Sequence, residues 1–249
     1  MSGLPEVDIA RELKRLYQIG FLKSLRASDT GIGYTLETVL NIKENNEGEP
    51  DFVYHEIPVE LKAQRIGASS RITLITKTPC WEPLSQKEII EKYGYKDVKG
   101  RQGLKITLTT SAFNPKGFKL EINRNNNRLN VVHKEYGIVA YYDIFKLMEK
   151  IRRKIFSNLI LVLAETRKKD KNEYFQYQKA ILLQDLSENK FEEALNNGII
   201  VWEFRAHIKP DGTVRDHGPG FRISKLHLSN LYSKQTIIFD GSKPSEEQR

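Results

Sequence analysis

The chain has 249 residues, of which 39% are hydrophobic and 29% charged; it is long enough for one or two folded domains and too polar for a membrane protein. Its 40 Lys and Arg outnumber 32 Asp and Glu, a formal charge of +8 that points to an acidic partner, nucleic acid first. One cysteine, Cys80, excludes an intramolecular disulfide framework and a multi-cysteine zinc site, and suits a reducing, cytoplasmic setting.

Residues 6–24 carry Ile9, Leu13, Leu16 and Leu22 at helical spacing, and Glu6 and Asp8 there do not fit a signal peptide. A second helix is predicted from about Gly33, with Leu36, Val39 and Leu40 on one side, followed by a turn at Gly48 to Pro50. From Asp51 the period changes to two, with Ile57, Val59, Leu61 and Ala63 alternating with polar residues and Pro58. Further strands are predicted at 71–77, 103–109, 118–123, 128–133, 137–142, 157–165, 175–183 and 199–207. Helices are predicted at 84–93, 143–154, 188–197 and 225–233. The longest strongly apolar run, Leu159 to Ala164, is far shorter than the roughly 20 residues of a membrane span. Strands before, between and after helices predict an α/β protein with a mixed β-sheet flanked by helices.

The segment from Asp51 to Lys62 holds the most chemistry. Glu60 and Lys62 are two apart in a strand, so they share a face, while Leu61 points into the core. A hairpin starting near Asp51 brings its carboxylate to the same end. Two carboxylates and a backbone carbonyl form a hard oxygen site suited to Mg²⁺. A neighbouring ammonium stabilises charge developing on a phosphate. The alternative is an ordinary solvated strand face carrying a charge pair. A second cluster comprises Glu203, Arg205, Arg215, Asp216, His217 and Arg222 around a Gly/Pro loop. Arginines read guanine and carboxylates accept from cytosine, so this group suits G·C readout; the alternative is a loop knit by pairs such as Asp216 with Arg222. The basic runs Arg152, Arg153, Lys154 and Arg167, Lys168, Lys169 suit either a phosphate backbone or a solvated face. His133, His207 and His217 are not spaced as zinc ligands, and Cys80 reads as a packed thiol.

Four ordered motifs resemble the MvaI/BcnI restriction endonucleases, relatives of the mismatch-repair nickase MutH, within the PD-(D/E)xK nuclease class. Thr30-Gly31-Ile32-Gly33-Tyr34-Thr35-Leu36-Glu37 is similar to that family's TG-x-G-x-T-x-E segment. Pro50-Asp51-Phe52 and Glu60-Leu61-Lys62 resemble its active-site strands, and Leu74 to Pro79 the strand that follows. Arg215 to Ile223 resembles its HD-[HR]-G-x-x-[FL]-RI segment, with Arg215 in place of a His. The resemblance runs from about residue 5 to 233. In family members four residues separate the Asp from the Glu; here residues 52–59 intervene, which reads as a longer hairpin.

The resemblance implies a restriction-endonuclease-like core in two lobes with a DNA cleft, roughly 1–165 mainly catalytic and 166–240 mainly recognition, with a mobile tail at 241–249. It implies that Asp51, Glu60 and the Leu61 carbonyl bind Mg²⁺, with Mn²⁺ as a substitute. Lys62 would assist the attacking water, and Glu37 would stand behind as a supplementary carboxylate. The second cluster would read bases, and Thr76 and Lys77 would approach the minor groove unless Thr76 is a buried strand residue. The expected activity is sequence-specific hydrolysis of double-stranded DNA at a short, CC/GG-flanked, near-palindromic site. The enzyme would act as a monomer nicking the strands in turn, in a prokaryotic cytoplasm beside a companion methyltransferase. A MutH-like nickase and a non-catalytic DNA-binding protein are the alternatives.

Overall fold

The computed structural model describes residues 4–43, 50–68, 71–154 and 157–243, with no side-chain description for 152–154. The side chains of the Arg152, Arg153 and Lys154 run, Gly48 of the expected turn and 244–249 of the tail therefore lie outside what is described. In chain order the first elements are α1 (Ile9–Ile19), β1 (Leu22–Lys23), α2 (Gly31–Val39), β2 (Phe52–Tyr54) and β3 (Ile57–Arg65). Next come β4 (Arg71–Thr76), β5 (Cys80–Trp81), α3 (Gln86–Tyr93), β6 (Tyr95–Lys96), β7 (Gln102–Leu108), β8 (Phe118–Asn123), β9 (Arg128–His133), β10 (Gly137–Asp143) and α4 (Ile144–Lys154). The rest are β11 (Asn158–Lys169), β12 (Asn172–Leu186), α5 (Glu188–Asn196), β13 (Ile200–Ile208), β14 (Val214–Asp216), β15 (Gly220–Ser224), a 3₁₀ helix (Lys225–Leu231) and β16 (Tyr232–Asp240).

Two compact units share these elements. One is drawn from 1–69, 156–187 and 232–249, the other from 70–155 and 188–231. In the first, a sheet runs β1-β12-β11-β3-β2, with β16 also paired to β12. Strand β3 is parallel to β11, with Glu60 opposite Leu159 and Arg65 opposite Ala164; every other pair is antiparallel. Ile9 and Leu13 of α1, Ile32 and Leu36 of α2, and Phe52, Leu61, Ile160, Val162, Phe175 and Tyr177 of the sheet form one buried cluster. Burial of these side chains is the main force holding both helices on the sheet. The Tyr177 hydroxyl donates to the Ile32 carbonyl across 2.8 Å, so this buried polar group is satisfied.

The helices begin and end for local reasons. Asp8 caps α1 by accepting from the Arg11 N–H at 3.1 Å. The helix stops at Ile19 rather than near 24, because Gly20 takes a φ of 91° that breaks the repeat. Helix α2 starts at Gly31, two residues before the expected Gly33. A Cβ at Gly31 would strike the Arg26 carbonyl and the Ser24 hydroxyl, so the tight entry demands glycine there.

The eight residues between Asp51 and Glu60 form a tight hairpin. His55 and Glu56 both adopt positive φ (46° and 66°), the two-residue turn whose twist matches paired strands. Phe52 then faces Val59, and Tyr54 faces Ile57.

In the second unit one sheet runs β4-β15-β13-β7-β6, with β14 paired to β13, and another runs β5-β10-β9-β8. Trp202, Phe204 and Phe221 are fully buried. The Trp202 indole donates to the Tyr142 hydroxyl (2.8 Å), which donates to the Lys77 carbonyl (2.6 Å). A capping box of Ser85 and Glu88 starts α3.

The structure departs from the sequence expectations at several places. Residues 225–233 do not form an α-helix: a 3₁₀ helix ends at Leu231, and its period of three places Leu228 and Leu231 in the core together. Residues 232–240 form a strand with no sequence expectation behind it; mostly exposed, its side chains leave no apolar alternation to read. Cys80 is exposed rather than packed, because β5 is the two-residue edge of its sheet. Arg167, Lys168 and Lys169 sit at the exposed tip of the β11–β12 hairpin, beyond the expected strand end at 165.

Candidate active site

The first unit brings Asp51, Glu60, Lys62 and Glu37 into mutual electrostatic range. Strand β3 presents Glu60 and Lys62 on one face while Leu61 is buried on the other, as the alternation predicts. Lys62 Nζ lies 2.7 Å from Glu60 Oε1. The hairpin returns the chain so that the Asp51 N–H donates to the Val59 carbonyl at 2.9 Å. The Leu61 N–H in turn donates to Asp51 Oδ2 at 2.7 Å. Burial first, then the charges of Glu60 and Glu37, push the Asp51 carboxyl up to about 7, against the pull of the Leu61 N–H and the Lys62 ammonium. Burial also raises Tyr177, as does the charge of Glu37.

Carboxylates crowded to this degree suit a divalent cation, which removes their repulsion. Among the described residues no three His, Cys, Asp or Glu side chains form a cage by themselves. A hard ion would therefore need a main-chain oxygen beside Asp51 and Glu60, and the Leu61 carbonyl is the one the motif supplies. These donors fit Mg²⁺ or Mn²⁺ in type, with Lys62 adjacent as a fixed positive charge.

The second unit gathers the other predicted residues on one sheet. Glu203 and Arg205 lie on β13, Arg215 and Asp216 on β14, and Arg222 on β15. The His217 N–H donates to the Arg205 carbonyl at 3.0 Å. The rings of His207 and His217 are 5.5 Å apart. Asp216 does not pair with Arg222. Its Oδ1 accepts from the Gly218 N–H (2.8 Å) and its Oδ2 from Gln86 Nε2 (2.7 Å), so it shapes the loop instead. Arg222 Nη1 lies 3.1 Å from Glu203 Oε2.

Thr76 ends β4 and is exposed, not buried in the strand. Gly220 is its partner on β15, and the Thr76 carbonyl accepts from Lys150 Nζ at 2.7 Å. Lys77 Nζ donates to the Lys146 carbonyl at 3.1 Å. Burial and the Lys150 charge lower the Lys77 ammonium below its usual value. Sequence reasoning missed Arg71, whose Nη1 donates to Glu203 Oε1 at 3.3 Å. Its one signal was its place in the acid-free stretch from Leu61 to Trp81.

The profile of the MvaI/BcnI restriction endonuclease family matches residues 10–232. Among solved structures, the chain is similar to one titled restriction endonuclease MvaI–cognate DNA substrate complex. Identity is 26%, the match covers 93% of this chain and 99% of that one, and the TM-score is 0.68. It is also similar to restriction endonuclease MvaI in the absence of DNA, at 25% identity over 96% of this chain and 100% of that one, with a TM-score of 0.58. No curated protein matches. A family match over nearly the whole chain and the shared α/β fold lead to one assignment: the chain belongs to the MvaI/BcnI restriction endonuclease family and is a type II site-specific deoxyribonuclease.

Proposed function

We propose that this enzyme hydrolyses phosphodiester bonds of double-stranded DNA in a Mg²⁺-dependent reaction at a short, near-palindromic site with CC/GG flanks. One observation carries the reading: Asp51, Glu60, Glu37 and Lys62 converge from a loop, a strand and a helix, with Asp51 Oδ2 2.7 Å from the Leu61 N–H and Glu60 Oε1 2.7 Å from Lys62 Nζ. Asp51, Glu60 and the Leu61 carbonyl are the groups that would hold the ion. Bound there, Mg²⁺ supplies Lewis-acid stabilisation of charge building on the phosphate. Lys62, anchored to Glu60 at 2.7 Å, places a positive charge beside the attacking water and the phosphate. The Leu61 N–H fixes the Asp51 carboxylate, and Glu37 supports the cluster from α2.

Arg205, Arg215, His217 and Arg222 would read base edges, with Thr76 and Lys77 at the minor groove, while Glu203 and Asp216 order the groups around them. Support comes from their gathering on one sheet and from the DNA held by the MvaI structure of the same fold. Family membership supports a monomer that nicks the two strands in turn, in a prokaryotic cytoplasm beside a companion methyltransferase. Among the described residues no helix is long and apolar enough to cross a membrane.

Digestion of a sequenced plasmid with purified protein, in Mg²⁺ and in EDTA, with sequencing of the ends, tests this reading. Discrete Mg²⁺-dependent fragments with shared G·C flanks, preceded by a nicked intermediate, are expected. Cleavage persisting in EDTA, or nicking alone at hemimethylated sites, would overturn it.

A further inference from the structure

We infer that Arg71 is a base-reading residue, held beside Arg222 by the Glu203 carboxylate so that the two guanidiniums take acceptor edges of guanine in the major groove. The inference rests on the proposed DNA recognition by this sheet and adds to it a residue and a division of labour.

Strands β4, β15 and β13 lie side by side, with Arg222 opposite Thr73 on one neighbour and Val201 on the other. Arg71 and Glu203 reach each other across the intervening strand. Each carboxylate oxygen of Glu203 takes one guanidinium: Oε1 is 3.3 Å from Arg71 and Oε2 is 3.1 Å from Arg222. A guanidinium has five N–H donors in a planar fork, so each contact spends only a fraction of its capacity. Glu203 sits between two cations with both oxygens engaged. It is therefore a positioning residue for the arginines.

One further observation separates this arrangement from a surface ion pair kept for stability. On the neighbouring strand pair Arg205 lies directly opposite Lys105, two like charges that destabilise a bare sheet. This feature makes sense on a face completed by an electronegative ligand, and bidentate arginine contact with guanine O6 and N7 is the commonest specific pairing.

The test is cleavage of a randomised duplex library by wild type, Arg71→Ala, Arg71→Lys and Glu203→Gln, read as base preference at each position of the cut site. In Arg71→Ala, discrimination at one base-pair position is expected to fall about 5- to 150-fold, the range of one bidentate contact. Arg71→Lys does not restore it, because an ammonium lacks the planar fork. Glu203→Gln relaxes the Arg71 and Arg222 positions together. Thermal melting confirms folding, and Arg71→Lys remains informative if the alanine variant melts early. A uniform fall at all sites, with a salt slope smaller by about one, makes Arg71 a backbone contact and overturns the inference. So does an unchanged preference profile. Wild-type cleavage without sequence preference defeats the recognition reading itself, and this inference with it.

Discussion

The main-chain N–H of Leu61 donates to the carboxylate of Asp51 across 2.7 Å, tying the acid that precedes the hairpin to the strand that carries Glu60 and Lys62. Because Leu61 is itself buried in the core, the position of Asp51 is set by packing. The enzyme thus holds a carboxylate where burial and two neighbouring acids oppose its ionisation.

Asp51→Asn keeps an acceptor for the Leu61 N–H and removes the charge. The variant is expected to lose cleavage but to melt about 2–8 °C higher in EDTA at pH 8. That corresponds to about 1–2 kcal/mol, well below the full shift, because the carboxyl is partly solvated. The pH dependence has a definite sign. The folded carboxyl is raised from 3.8 to about 7, so between these values the folded chain holds a proton that the unfolded chain has lost. Wild-type stability in EDTA therefore falls as pH rises through this window, whereas the Asp51→Asn curve is flatter. Added Mg²⁺ raises the wild-type melting temperature and leaves the variant unmoved. Melting curves with and without metal check all three outcomes; a variant less stable than wild type in EDTA at pH 8 would sink the electrostatic account.

Glu60→Ala and Lys62→Ala separate chemistry from stability. Their 2.7 Å pair is partly exposed, and such pairs contribute about 0.2–1 kcal/mol, so melting temperatures should barely move. Cleavage is expected to fall by about 10²-fold or more while DNA binding in a gel-shift assay persists. Unchanged cleavage in either variant would remove these residues from the mechanism.

The hairpin turn tests whether the longer Asp51–Glu60 spacing is tolerated. His55 and Glu56 occupy left-handed backbone that Asn and Gly adopt more readily. Replacing the pair with Asn-Gly relieves left-handed strain of about 1–2 kcal/mol per residue, partly offset by the entropy of the new glycine, and is expected to stabilise the protein while preserving cleavage. Denaturant titration and a cleavage assay measure the two outcomes.

Gly31→Ala forces a methyl group against the Arg26 carbonyl and Ser24 hydroxyl. The entry into α2 must shift, at a cost of about 1–3 kcal/mol, and Glu37 moves with it. Lower stability together with reduced cleavage is expected. Gly33→Ala, where a Cβ meets only Glu37 Oε1 at 3.7 Å, should be far milder.

Much of this molecule was legible before any coordinates. Alternation around Leu61 separated the polar face from the core, and the spacing of Ile9, Leu13 and Leu16 marked α1, because burial imposes those periods on the chain itself. The residues from Thr30 to Glu37, from Asp51 to Lys62 and from Arg215 to Ile223 carried the resemblance to the family. Tertiary structure decided what no local period encodes. It left Cys80 on a sheet edge and turned Asp216 toward Gln86 instead of Arg222. It also joined Arg71 to Glu203, 132 residues later in the chain, because adjacency in a sheet is set by which strands bury their faces together and not by separation along the sequence.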